Sequence, residues 1–256
     1  MKKLFLSTLL LAFSAANAEF KVGVVAGPEA DLAKTAAKVA KEKFNLEVKV
    51  VEFDDYVMPN IALAEKELDA NAMQHRPYMD TISKERGFKL VAAGNTFIYP
   101  VGAYSKKIKS VDELKEGAKI AFPNDPTNGA RALILLHEQN LIKLKDPKNL
   151  QSSLLDVVEN PKNFELIDAD APSLPRILPD VDLAIINSNY SVNNDLLPER
   201  DAIFIEAKDS PYVNIVTVRE GDENNEDVQN FVKSYQSEEV EKLAQELFKG
   251  AQVKGW

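Results

Sequence analysis

Phe122 to Leu133 reads FPNDPTNGARAL: the end of a strand, a turn and the start of a helix. Just upstream, the short apolar run Ala118 to Phe122 predicts the strand. Asp125 and Pro126 fit the N-cap and first positions of the helix that follows. Proline is tolerated at the first position because the N–H it lacks has no intrahelical partner there. Such a helix start presents unpaired backbone N–H groups and a partial positive charge, which suits an anion. Arg131, within the first two turns, adds a planar and permanently charged fork for a carboxylate or phosphate. The structural alternative is a capped surface helix whose arginine sits in water.

The same strand–turn–helix unit recurs on both sides of this stretch. Upstream, strands are predicted at Phe20 to Val25, Leu46 to Phe53, Asp69 to Met73, Leu90 to Ala93 and Phe97 to Tyr104. Helices are predicted between them at Glu29 to Lys43, Asn60 to Lys66 and Pro77 to Arg86. After Ser105 the pattern restarts with helices at Ser110 to Leu114, Pro126 to Asn140 and Ser173 to Leu178. Strands at Phe164 to Asp168, Val181 to Ile186 and Tyr212 to Arg219 go with them, and Glu226 to Lys249 is helical in two pieces. Alternation of this kind means an α/β fold with largely parallel sheets covered on both faces. The restart predicts two lobes, one made of residues 19–102 plus 217–256 and the other of 103–216. Crossover strands near 98–104 and 212–219 would join them, with a cleft between, facing the carboxyl ends of strands.

Composition narrows the function classes. Residues 1–18 read as a secretory leader, with basic Lys2 and Lys3, a mostly apolar Leu4 to Ala16, and a small-x-small cleavage site, Ala16-Asn17-Ala18. The apolar run is too short to span a bilayer, and no later stretch approaches spanning length. Removal of the leader leaves 238 of the 256 residues and takes the formal charge from −9 to −11. An acidic protein of this kind is a poor partner for nucleic acid or an anionic membrane surface. The sequence has no cysteine, which excludes disulfides, thiol chemistry and thiolate metal sites. It also leaves no thiol at the cleavage point to carry a lipid. The expectation is a soluble monomer in the periplasm, without a lipid anchor, metal or cofactor.

Four segments follow predicted strands and so face the expected cleft: EFDDY (52–56), DANAMQHRPY (69–78), the Arg131 segment and NSNY (187–190). A fifth, SPYVN (210–214), opens a crossover strand. Each of their residues has an ordinary structural reading. Tyr56 and Tyr78 fit core or surface aromatics, Met73 core filler, and His75 a hydrogen-bonded structural histidine. Asn187 fits a helix cap, with Asn189 as its alternative in a site. Asn214 stands out, because asparagine is depleted in strands. Enzyme signatures are missing: no G-x-S-x-G elbow occurs, and His137-Glu138 lacks the second histidine of H-E-x-x-H.

Eight ordered stretches resemble the methionine-binding lipoproteins of bacterial ABC importers, the NlpA-type family. They are KVGVVAGPEA, VEFDDYVMPN, LDANAMQHRPY, GNTFIYP, FPNDPTNGARAL, VVENPKN, DLAIINSNY and DSPYVN, and they span nearly the whole chain after the leader. The resemblance implies a two-lobed periplasmic substrate-binding fold of type II-like architecture, hinged by two crossover strands. It implies capture of methionine by hinge closure and delivery to an ABC permease driven by a cytoplasmic ATPase. The alternative ligands are another small apolar amino acid or a methionine-containing dipeptide; the competing classes are an exported enzyme and an envelope structural protein. Carried over position by position, Tyr56, Met73, His75 and Tyr78 surround the ligand side chain. Arg131 takes the α-carboxylate, and Asn187 and Asn214 bond the amino-acid head group. The chain departs from the family in having Met73 where phenylalanine is usual, and in lacking the lipid-bearing cysteine.

Overall fold

The computed structural model describes residues 19–256, and the expected leader at 1–18 lies outside the described residues. The chain opens with β1 (Phe20–Val25), α1 (Pro28–Phe44), β2 (Val48–Phe53), α2 (Met58–Ala64), β3 (Ala70–His75), α3 (Arg76–Arg86) and β4 (Leu90–Ile98). It continues through β5 (Gly102–Tyr104), β6 (Lys119–Pro123), α4 (Pro126–Glu138), β7 (Lys143–Leu144), β8 (Val157–Glu159), β9 (Glu165–Ala169) and α5 (Leu174–Ile177). Then come β10 (Leu183–Ile186), α6 (Ser188–Val192), α7 (Pro198–Asp201), β11 (Phe204–Ile205), β12 (Val213–Arg219), α8 (Glu226–Tyr235), α9 (Glu238–Phe248) and β13 (Val253–Lys254).

Two main sheets form two lobes. The first has the order β13-β4-β12-β3-β1-β2 and the second β11-β5-β10-β6-β9. The expectation of largely parallel sheets needs correction at the strands that follow each crossing. β12 runs antiparallel to both β3 and β4, and β5 antiparallel to both β10 and β11. The reason is directional. The chain leaves one sheet at its carboxyl edge and enters the other at that sheet's carboxyl edge, so the incoming strand must run backwards. Thus Gly102 pairs with Ile186 at the end of β10, and Val213 with Ile98 at the end of β4. The lobe boundaries shift accordingly. Val213–Val216, which the sequence places with the second lobe, pair within the first sheet, so the return crossing lies ahead of Val213.

The sequence breaks one strand that the structure leaves whole. Gly94 sits inside β4, where it reads as a gap between two strands. Its role is close approach rather than interruption, since a Cβ there would fall 2.4 Å from Cγ1 of Val232 on α8. The β7–β8 hairpin and the short β11 and β13 carry too few residues to show a period, and the sequence does not reveal them.

Each lobe has its own core. Val22, Val24, Leu32, Phe97, Phe231 and Tyr235 fill the first under α1 and α8, with alanines along α1 letting that helix close on the sheet. Ile120, Leu133, Leu136 and Leu183 anchor the second. A further cluster takes Val25 and Met73 from the first sheet and Tyr104, Ala121, Ile186 and Tyr190 from the second lobe, so apolar packing spans the interlobe boundary. Full burial of side chains of this size is worth about 1.5–3 kcal/mol each.

Candidate functional site

The carboxyl ends of β1, β2 and β3 and those of β6 and β10 meet at one cleft, as the topology of an open α/β sheet requires. The cavity there has about 370 Å³ of empty space including its mouth. All seven residues singled out in the sequence line it: Tyr56, Met73, His75, Tyr78, Arg131, Asn187 and Asn214. Asn189, the alternative to Asn187, lines it too, and the sequence passes over others, chiefly Glu29 and Asn128.

One wall is aromatic. Tyr56, just after β2, packs edge-on to Tyr78 with ring centroids 6.0 Å apart and tilts against Tyr190 at 5.2 Å. Met73 lies beside them on β3, a strand buried along its whole length. Burial holds the Tyr56 and Tyr78 phenols above their ordinary range, so this wall stays neutral.

The opposite wall is a hydrogen-bond relay whose orientation follows from one carboxylate. Asp125 caps α4 by accepting from the Asn128 backbone N–H at 2.9 Å. Both its oxygens also accept from Asn128 Nδ2, at 3.2 and 3.0 Å. A carboxylate only accepts, so the Asn128 amide is fixed with Oδ1 facing the cavity side. That oxygen takes Asn187 Nδ2 at 2.8 Å and lies 3.1 Å from His75 Nε2. His75 Nδ1 in turn accepts the Tyr78 backbone N–H at 3.1 Å, capping α3, so Nε2 carries the proton. Burial, and then the Arg131 charge, lower the imidazole pKa to about 3, and His75 is a neutral donor. With Nδ2 committed, Asn187 Oδ1 is buried without a partner among the described residues.

Arg131 occupies the floor. The sequence offers its fork to a ligand, and in the structure the Nε and Nη2 side of that fork meets Glu206. Nε donates to Glu206 Oε1 at 2.8 Å and Nη2 to Glu206 Oε2 at 2.5 Å, a bidentate ion pair in which both side chains are buried. Nη2 also donates to the Tyr99 carbonyl at 3.0 Å, and the guanidinium carbon lies 4.3 Å from the centre of the Tyr212 ring. Among the described residues Nη1 has no hydrogen-bond partner. One nitrogen, rather than the fork, is left for a further partner.

Glu29 is the residue that the sequence hides best, because an acid in the first turn of a helix reads as an ordinary dipole partner. Gly27, at φ +113°, turns the chain sharply out of β1 so that α1 begins with Pro28 and Glu29 inside the cleft. Glu29 Oε1 accepts from Asn214 Nδ2 at 2.8 Å, while Oε2 is buried without a partner. Burial, only partly offset by Asn214, raises its carboxyl pKa to about 8. Asn189 ties the lobes here: its Oδ1 accepts the Glu29 backbone N–H at 3.3 Å and its Nδ2 donates to the Ala26 carbonyl at 3.2 Å. The alternatives left open in the sequence thus separate, since Asn189 is spent on backbone and Asn187 keeps an unpaired oxygen.

Comparison with known proteins fits this geometry. A probable D-methionine-binding lipoprotein of Vibrio cholerae is 54% identical over 254 residues, covering 98% of this chain and 94% of that one. The crystal structure of a methionine-binding protein superposes with a TM-score of 0.91 at 52% identity, covering 93% of this chain and 98% of the other. A nutrient-binding protein from Burkholderia cenocepacia, solved bound to methionine, gives 0.90 at 49% identity and covers 93% and 100%. The family model described as NlpA lipoprotein matches residues 20–256, and with identities above half along almost the whole sequence the chain belongs to that family.

Proposed function

We propose that this protein is the extracytoplasmic binding component of an ABC importer and that its ligand is methionine, which it captures between the lobes and hands to a membrane permease. The observation that carries this is one cavity with two chemically different ends. Tyr56, Met73 and Tyr78 offer polarizable and aromatic walls suited to a thioether. At the other end Arg131, with Nη1 free of a partner among the described residues, takes the α-carboxylate, and the asparagines supply the remaining polar contacts of a head group. His75 serves that reading as a neutral donor rather than as a charge. Relatives named for D-methionine make that enantiomer a ligand to test beside the L form.

Burying a methionine-sized side chain is worth about 1.5–3 kcal/mol, and each charge-assisted bond about as much. After ordering costs, this supports dissociation constants of about 1 μM or tighter. Calorimetric titration with both enantiomers of methionine and a panel of other amino acids tests it. Methionine at about 100 times its dissociation constant stabilises the fold by about 2.7 kcal/mol, seen as a raised thermal midpoint. Absence of binding and of any shift with both enantiomers overturns the proposal. A tighter hit on another apolar amino acid or a methionyl dipeptide moves the ligand and keeps the mechanism.

A further inference from the structure

Outside the cavity, the second lobe holds apolar side chains out to water. Leu155 is 95% exposed and Leu154 43%, on a single turn of 3-10 helix, Leu154–Asp156, between β7 and β8. A solitary exposed leucine is ordinary, but this pair sits on a turn that is fixed from both sides. Ser153 caps it, its Oγ accepting the Leu155 N–H at 3.3 Å, and Asp156 Oδ2 answers by accepting the Ser153 N–H at 2.8 Å. The Asp156 carbonyl takes the Lys145 N–H at 2.9 Å, and Ser152 Oγ, buried just ahead, donates to the Asn149 carbonyl at 2.9 Å. The leucines border a groove with about 580 Å³ of empty space including its mouth, walled by Phe122, Pro126, Ala130 and Leu133. The charged side chains lining it, Asp125 and Asp168, are both acidic. Asp170 adds a third acid at the rim, accepting from Asn124 Nδ2 at 2.7 Å.

We propose that the Leu154–Leu155 turn and this groove are the surface on which the membrane permease docks, and that they receive a permease segment carrying apolar and basic side chains. This rests on the reading of the protein as the binding component of an ABC importer and adds where the two proteins meet. The exposed leucines call for an apolar cover, and the acidic lining calls for positive charge in it. A chain of formal charge −9 is repelled by an anionic lipid surface, so a protein partner fits better than a membrane. Position points the same way. The groove takes its walls from the ends of β6 and β9 and the first turns of α4, the sheet edge that also opens on the cleft. A partner seated there lies beside the opening through which the ligand leaves. Gln151, just ahead of the turn, donates from Nε2 to Thr81 Oγ1 on α3 of the first lobe at 3.3 Å. The docking turn is thus tied across the cleft, and opening the lobes breaks that tie.

The test is binding of the full chain, in saturating methionine, to its importer, the permease with its ATPase reconstituted in phosphatidylcholine nanodiscs. Methionine calorimetry on each variant runs beside it. Leu155→Glu removes the apolar tip and adds a like charge beside the acidic groove. It lowers affinity for the importer by about 10- to 100-fold and leaves methionine affinity at the wild-type value. Asp168→Lys, in the groove itself, also weakens docking and flattens its dependence on salt. Phe44→Glu alters a 37% exposed side chain at the end of α1 remote from the cleft, and it leaves both affinities unchanged. Docking of Leu155→Glu at wild-type affinity overturns the proposal, as does a wild type that binds methionine but not the importer. Equal binding to empty nanodiscs assigns the turn to lipid, and a wild-type dimer that Leu155→Glu dissolves assigns it to a second copy. Either result overturns the permease as occupant. Failure of wild type to bind methionine at all is a different outcome, which removes the proposed function itself.

Discussion

At the residue scale, the decisive fact is that Arg131 is already paired. A buried guanidinium with Nε and Nη2 both on Glu206 is fixed in place and keeps only Nη1 without a partner among the described residues. Removing one partner strands the other charge inside the protein. Arg131→Ala therefore costs about 3–5 kcal/mol of stability as well as affinity, because Glu206 is left buried and unpaired. The double change Arg131→Ala with Glu206→Ala recovers part of that stability without restoring binding. Urea denaturation of both singles and the double measures the coupling, and strictly additive losses would show that the pair does not act as a unit. Glu29 shows the same logic from the other side. It is an acid kept in an environment that disfavours its charge, because burial outweighs the hydrogen bond from Asn214.

At the element scale, α4 does two jobs from its first turn. Asp125 satisfies the helix's own N–H groups and also fixes the Asn128 amide, from which the orientations of His75 and Asn187 follow. Asp125→Ala loses the cap, about 1 kcal/mol, and frees the amide to rotate, so ligand affinity falls too. Asn225 caps α8 through the Asp227 N–H at 2.8 Å, and it serves as the control. Asn225→Ala lowers the unfolding midpoint by a similar amount and leaves methionine affinity unchanged. Equal affinity in the two variants would separate the cap from the relay and sink this account. The Asp125-Pro126 start is legible in the sequence, because capping is a local property of a few adjacent residues. The relay is not, because it joins residues 75, 128 and 187 from three separate strand ends.

At the scale of the whole molecule, further polar contacts join the lobes beside the His75–Asn128 bond. Asn189 reaches Ala26 and Glu29, Tyr190 Oη donates to the Asp54 carbonyl at 3.3 Å, and Ser188 Oγ to the Pro100 carbonyl at 2.5 Å. These contacts set how readily the cleft opens, and opening taxes affinity by the fraction of molecules that are closed. Asn189→Ala removes two interlobe bonds, so the ligand-free protein is more open and methionine binds more weakly. Small-angle scattering then reports a larger radius of gyration than wild type without ligand, converging with wild type when methionine is saturating. Equal radii in both conditions would mean that Asn189 does not govern closure. Much of this architecture was written in the chain. Alternating apolar periods give the strands and helices, and the restart after Ser105 gives a second lobe, since both depend on neighbours within a few residues. The positions of the cleft residues followed, because side chains just after parallel strands share one edge of the sheet. What only the tertiary structure decided is the pairing within that edge. Arg131 and Glu206 stand 75 residues apart, and Glu29 and Asn214 stand 185 apart. No local pattern records which buried charge meets which, because that choice is made by packing and desolvation once the two lobes have come together.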